Sequence, residues 1–279
     1  ARSRRTSPHH DTPDLAAPHR TRPYRTPPNP TMPDRNPPCH VAPCLDTPGR
    51  TLPRRTSPGL ALPRLRRAVE RTLNSAKRDN LFSKDVATAA VVRLLDHTAM
   101  RIGGRSRTSQ GATTLMLRNI SYDRGSLKLR YTAKGGKKVR CSVTDKRLQR
   151  ILEKIHDLPG KRLFQYIGSD GLVHPLDSGD VNDWLKTRTG VDHISAKIFR
   201  TWHGSTVALE ALRCADKPTI KVACEAASAV LWNTPAIARK SYVHPAILEL
   251  VETHDGREVL AGLPVRRIKG LTASEQRLM

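Results

Sequence analysis

The stretch Thr113–Thr144, TTLMLRNISYDRGSLKLRYTAKGGKKVRCSVT, decides the fold class. Apolar and polar residues alternate along it, which is the period of a strand with one buried face. Turn signals interrupt the alternation at Asp123–Gly125 and at Lys134–Lys137. The pattern predicts a three-stranded antiparallel meander, with Lys134 at the tip of its second hairpin and Lys137 and Lys138 close by.

On both sides of this stretch the period is helical. LPRLRRAVERTLNSAK (Leu62–Lys77) spaces Leu65, Val69 and Leu73 four apart, with Pro63 expected in the first turn. SKDVATAAVVRLLDHTAM (Ser83–Met100) repeats the pattern behind Ser83, an N-cap residue type. After the meander, helices are expected over Asp145–His156, Ser178–Thr187, Ala196–Arg213 and Thr219–Leu231, with short ones around Tyr242 and at Pro245–Glu252. The fold class is mainly α with a small antiparallel β-meander, and roughly 200 residues suffice for a sizeable core.

The first 59 residues have a different character. They hold 14 of the 21 prolines and no lysine, the first lysine being Lys77. Aliphatic residues are too sparse to offset the entropy of ordering such a chain. Three readings stand for 1–59: a disordered or polyproline-like segment, a basic arm that holds phosphates, or a stretch outside the genuine reading frame. The chain thus divides into 1–59, a catalytic-type domain over 60–255 and a C-terminal tail over 256–279. It starts with Ala1, as a fragment would, and shows neither an apolar leader nor an 18-residue apolar run.

Charge narrows the partner. The chain carries 49 Lys+Arg against 25 Asp+Glu, a formal +24. So large an excess strains a folded chain by self-repulsion and favours a polyanion. Nucleic acid is the leading candidate and an anionic membrane surface the second. Five cysteines without a pairing pattern fit a reducing compartment. Cys39, His40 and Cys44 lack a second ligand pair, so neither a metal nor a cofactor is expected.

Four stretches carry possible chemistry, each with an ordinary alternative. In LLDHTAMRIGG (94–104), Arg101 follows an apolar helix and precedes a Gly-Gly turn; it could bond the last helix carbonyls or point into a cleft. In YTAKGGKKVR (131–140), the lysines are either merely solvated or enter a DNA groove. In AKIFRTWHGS (196–205), Lys197 and Arg200 share a helix face beside Trp202 and His203. In NTPAIARKSYVHP (233–245), Tyr242 follows Arg239 and Lys240 and lies nine residues after Asn233.

Together these stretches resemble the type IB DNA topoisomerases, in particular the small bacterial and poxvirus-like branch. GATTLMLRNI (111–120), LPGKRLFQYI (158–167) and SGDVNDWLK (178–186) extend the resemblance from about Leu60 to about Leu248. It implies a tyrosine recombinase/topoisomerase IB-like catalytic domain. Arg101 matches the first catalytic arginine, Lys134 the hairpin lysine and Arg200 the second arginine. Asn233 stands at a position held by Asn or His, Lys197 in a K-x-x-R element, and Tyr242 at the nucleophile. Lys137, Lys138, Lys197, Arg239 and Lys240 become candidate contacts to double-stranded DNA. The resemblance further implies a monomer in a bacterial cytoplasm, at the nucleoid. Residues 1–59 do not resemble the β-rich domain with which the family clamps the duplex.

The implied reaction suits the residue types. Arginine forks stay charged and hold phosphate oxygens in paired hydrogen bonds. A tyrosine can store a phosphodiester as a phosphotyrosine ester, so nicking and resealing need no ATP. Two other classes compete. Tyrosine recombinases share the arginines and tyrosine but usually carry histidine where this chain has Lys197. A DNA-binding protein whose catalysis is impaired by the missing clamp is the other.

Overall fold

A computed structural model describes residues 58–77, 80–104, 106, 108–123 and 126–279, the side chains of 58–60 excepted. Of the proline-rich segment only Pro58 and Gly59 are included; Cys39, His40 and Cys44 lie outside the described residues. The described residues fall within one unit, Thr47–Met279.

Two helices open the fold. Helix α1 spans Pro58–Asn74 and α2 spans Lys84–Thr98. Pro63 lies inside α1 and not in its first turn, because the helix begins at Pro58. Ser83 caps α2 as its residue type suggests, its hydroxyl accepting from the Val86 amide. Leu65, Val69 and Leu73 of α1 pack with Val91, Val92 and Leu95 of α2 in the main core.

The meander follows as β1 (Ile120–Asp123), β2 (Ser126–Thr132) and β3 (Lys138–Val143), antiparallel in the order β1-β2-β3. Register sorts its faces. Leu127 pairs with Val143 and Tyr131 with Val139, all buried, while Arg130 sits directly opposite Arg140 on the exposed face. Like charges facing each other across strands are unfavourable unless an anion relieves them.

Helix α3 (Lys146–His156) returns from the sheet. Its N-cap, Asp145, accepts from the Arg147 and Leu148 amides and also from Arg93 Nε at 2.7 Å, with His97 Nε2 at 3.0 Å. One carboxylate thus ties α2 to the start of α3. A two-stranded ribbon, β4 (Gln165–Ile167) with β5 (Val173–Pro175), precedes α4 (Ser178–Thr189). The sequence pattern does not announce this ribbon, since three-residue strands are too short to show alternation.

Helix α5 (Lys197–Cys214) then joins two cores. Phe199 and Trp202 belong to the main core with α1, α2, the meander, α3 and α4. Ala208, Leu209 and Leu212 belong to a second core with α6 (Ile220–Leu231), α7 (Pro235–Ser241), α8 (Pro245–Glu252) and α9 (Gly256–Gly262).

Residues 256–279, set apart as a tail in the sequence reading, form α9 and α10 (Ala273–Arg277) and pack against the domain. Glu275 of α10 is 5% exposed. It accepts from Arg66 at 2.7 Å and from Trp202 Nε1 at 2.8 Å, while Arg66 also holds Asp96 at 2.8 Å. Burial alone would raise the Glu275 pKa; the Arg66 hydrogen bonds and charge outweigh it and bring it from 4.5 down to about 2.

Glu275→Gln is expected to lose about 2–4 kcal/mol of unfolding free energy at pH 7, because it leaves the Arg66 charge partly uncompensated. A depressed carboxylate stabilises above its unfolded pKa and loses that contribution as pH falls through its folded one. The wild-type advantage over Glu275→Gln in denaturant titrations should therefore hold above pH 4.5 and shrink towards pH 2.

Candidate active site

Helices α2 and α6 both end in a left-handed residue that is not glycine: Ala99 at φ 49° and Trp232 at φ 53°. Each end leaves carbonyls without helical partners. Arg200, from the first turns of α5, fills both needs. Its Nη1 donates to Ala99 O at 2.6 Å and its Nη2 to Leu231 O at 2.9 Å. The negative ends of two helix dipoles meet one guanidinium, a favourable placement for a buried cation. Arg200 is 4% exposed and its Nε has no hydrogen-bond partner.

Tyr242 closes the other side of this guanidinium. The chain turns at the end of α7, where the Tyr242 amide donates to Ala238 O at 3.0 Å. Its ring packs on Ala99 and Leu231, the residues whose carbonyls hold Arg200. Arg200 Cζ lies 4.6 Å from the ring centroid and Lys197 Nζ 5.7 Å. Arg101 Nη1 donates to Tyr242 Oη at 3.0 Å. The sequence reading allowed Arg101 to cap its own helix; instead Arg200 takes the Ala99 carbonyl and Arg101 takes the phenol.

Close backbone packing sets these positions. The amides of Ala112 and Thr113 donate to Arg101 O and Ile102 O at 2.9 and 2.8 Å. A Cβ at Gly111 would stand 2.5 Å from Arg101 O, so only glycine admits this approach. On the other wall, a Cβ on Gly204 would meet Leu231 Cδ1 at 2.9 Å and Tyr242 Cβ at 3.3 Å. Ser205 Oγ donates to Tyr242 O at 3.1 Å and accepts from the His244 amide at 3.0 Å. The sequence reading missed the roles of Gly204 and Ser205, although AKIFRTWHGS contains both. A Gly-Ser pair inside a helix that otherwise favours larger residues is the available signal.

The phenol feels all of this. Burial pushes the Tyr242 pKa up, but the adjacent Arg200 guanidinium and then Arg101 pull harder, leaving it below the ordinary tyrosine value. Tyr122 and Tyr131 behave oppositely: burial raises both, Tyr122 to about 12.

The remaining candidates surround this centre. Lys134 stands exposed at the tip of the β2–β3 hairpin, as its turn position predicts. Lys137 Nζ donates to Asn233 O at 2.9 Å. Both amide atoms of the Asn233 side chain are buried without hydrogen-bond partners. Lys138, Lys197, Arg239 and Lys240 are exposed. A small cleft lined by Arg101, Gln110, Tyr131, Arg200 and Trp232 runs beside the two arginines. Among the described residues no group of three His, Cys, Asp or Glu side chains is placed to hold a metal ion, and no helix is long and apolar enough to cross a membrane.

Carbon-13 tyrosine NMR should show Tyr242 ionising below pH 10, ahead of Tyr122 and Tyr131. Arg101→Ala should raise its pKa; no upward movement would mean that Arg101 does not act on the phenol.

Residues 60–239 match the family described as "Eukaryotic DNA topoisomerase I, catalytic core". The match takes in Arg101, Lys134, Arg200 and Asn233 and stops three residues before Tyr242. The DNA topoisomerase 1B of Acanthamoeba polyphaga mimivirus is 24% identical over 199 residues, covering 63% of this chain and 59% of that protein. Among solved structures, a XerH site-specific recombinase bound to a palindromic difH substrate aligns with 64% of this chain and 47% of its own, at 14% identity and a TM-score of 0.43. A pre-cleavage complex of XerH gives 14% identity and a TM-score of 0.42 over 65% of this chain and 49% of that one.

Proposed function

Because the chain belongs to the DNA topoisomerase I catalytic-core family, we propose that it relaxes supercoiled double-stranded DNA by cutting and resealing one strand through Tyr242. The observation that carries this reading is the phenol's place between two guanidiniums, with Arg101 on its oxygen at 3.0 Å and Arg200 against its ring at 4.6 Å. Free tyrosine is ionised to about one part in a thousand at neutral pH. Two fixed cations favour the phenolate, and they also favour the charge that builds on a phosphate under attack.

In the proposed step the Tyr242 oxygen attacks phosphorus and its proton passes to solvent. The P–O5′ bond breaks and the 3′ end stays on the protein as a phosphotyrosine ester. The departing 5′ oxygen takes a proton from Lys134, assisted by Arg101. Arg200 keeps its Nε–H for a phosphate oxygen, and Asn233 offers an amide donor without adding charge. Rotation of the free strand followed by the reverse attack relaxes the duplex. The two esters are close in energy, so no ATP is consumed, and the guanidiniums supply positive charge without a divalent ion.

The rest of the surface fits the same partner. Arg130 and Arg140 face each other on the exposed side of the meander, next to the hairpin that carries Lys134. Lys138, Arg239 and Lys240 are exposed and serve as further phosphate contacts in this reading. The reading carries with it a monomer acting on bacterial nucleoid DNA.

The full chain should relax a supercoiled plasmid in EDTA without ATP, and Tyr242→Phe should abolish the activity. Lys134→Ala should slow cleavage by about 10²-fold or more, the usual worth of a general acid. Full activity in Tyr242→Phe, or a covalent adduct on the 5′ end, would overturn the assignment.

A further inference from the structure

The tip of the hairpin that carries Lys134 stands clear of the core that buries Tyr131 and Val139. Its tip closes on itself through Ala133 N–H to Lys137 O at 2.7 Å and Gly136 N–H to Ala133 O at 3.1 Å. Gly135 and Gly136 both have positive φ, at 81° and 75°, and a Cβ built on either would meet nothing within 4 Å. Residues 134–138 are all exposed. Neighbouring side chains therefore do not fix where the tip lies relative to the phenol.

One contact does reach the site. Lys137 Nζ donates to Asn233 O at 2.9 Å across 96 positions of sequence. The acceptor sits on a firm mount. Asn233 N–H donates to Ser228 O at 3.2 Å, Trp232 holds its left-handed conformation at φ 53°, and Leu231 O accepts from Arg200. The tie thus runs from the hairpin tip to the loop that is bonded to the catalytic-site arginine. The acceptor is the backbone of Asn233, whose side-chain amide is buried and unpaired.

We propose that Lys137 is a positioning residue: its bond to the Asn233 carbonyl sets the hairpin so that Lys134 delivers its proton to the departing 5′ oxygen. This rests on the strand-cleavage reading above. It assigns Lys137 a different part from the backbone phosphate contact expected from its charge. Lys137 touches neither phenol nor phosphate in this scheme; it acts through Lys134.

The leaving group supplies the test. When sulfur replaces the bridging 5′ oxygen, the group that departs is a far weaker base and needs no proton. Single-turnover formation of the covalent adduct by the full chain should be compared on the oxygen and sulfur duplexes. On oxygen, Lys137→Ala is expected to be about tenfold slower than wild type, and Lys137→Arg, which can still reach the carbonyl, should recover most of the rate. On sulfur, both Lys137→Ala and Lys134→Ala should approach wild type. The double variant should be no slower on oxygen than Lys134→Ala alone, because both changes remove one function. The slope of log affinity against log salt should be unchanged in Lys137→Ala, whereas a lost phosphate contact lowers it by about one. A Lys137→Ala defect of equal size on sulfur, a reduced salt slope, or a wild-type rate on oxygen overturns the role of Lys137 alone. Absence of any wild-type adduct on both duplexes overturns the cleavage reading and this role with it.

Discussion

The site depends on one guanidinium being able to live in the interior. Arg200 is nearly inaccessible to water, and burial pushes its pKa down. It is tolerated there because two helices stop at the same place. The carbonyls of Ala99 and Leu231, left over at the ends of α2 and α6, accept two of its hydrogens. A buried charge with such partners costs far less than a bare one. The Tyr242 ring then packs on the residues that provide those carbonyls. Cation, helix ends and phenol thus pack against one another at one point.

The same principle repeats away from the site. Asp145 is an N-cap that also pairs with Arg93, and Glu275 is buried between Arg66 and Trp202. Acidic residues are outnumbered about two to one in this chain, and these two each hold more than one donor. On the outer face of the meander Arg130 and Arg140 stand directly opposite each other, both exposed.

Much of this was legible in the chain. The meander, the Lys134 turn and most helices follow from alternation and four-residue spacing, because those patterns record which face is buried. The resemblance supplied Arg101, Arg200, Asn233 and Tyr242, and the fold brings Arg101, Arg200 and Tyr242 into contact, while Asn233 stands two residues past Leu231, whose carbonyl holds Arg200. What could not be read were interactions whose partners are backbone atoms. A carbonyl is present at every residue, so nothing in the letters marks Ala99 or Leu231 as the seat of Arg200. Left-handed caps are usually given away by glycine, and here alanine and tryptophan occupy them. Gly204, given no role by the sequence pattern, is clearance for the Tyr242 segment.

Ser205 gives the arrangement a built-in ruler. It stands five residues from Arg200 on one uninterrupted helix and grips the Tyr242 carbonyl. At a rise of about 1.5 Å per residue, the axial distance from Arg200 to the residue that holds the Tyr242 carbonyl is about 7.5 Å. The connections between α5 and α6 and between α6 and α7 do not enter that measurement. Altering either link is therefore expected to leave the spacing of Arg200 and Ser205 unchanged.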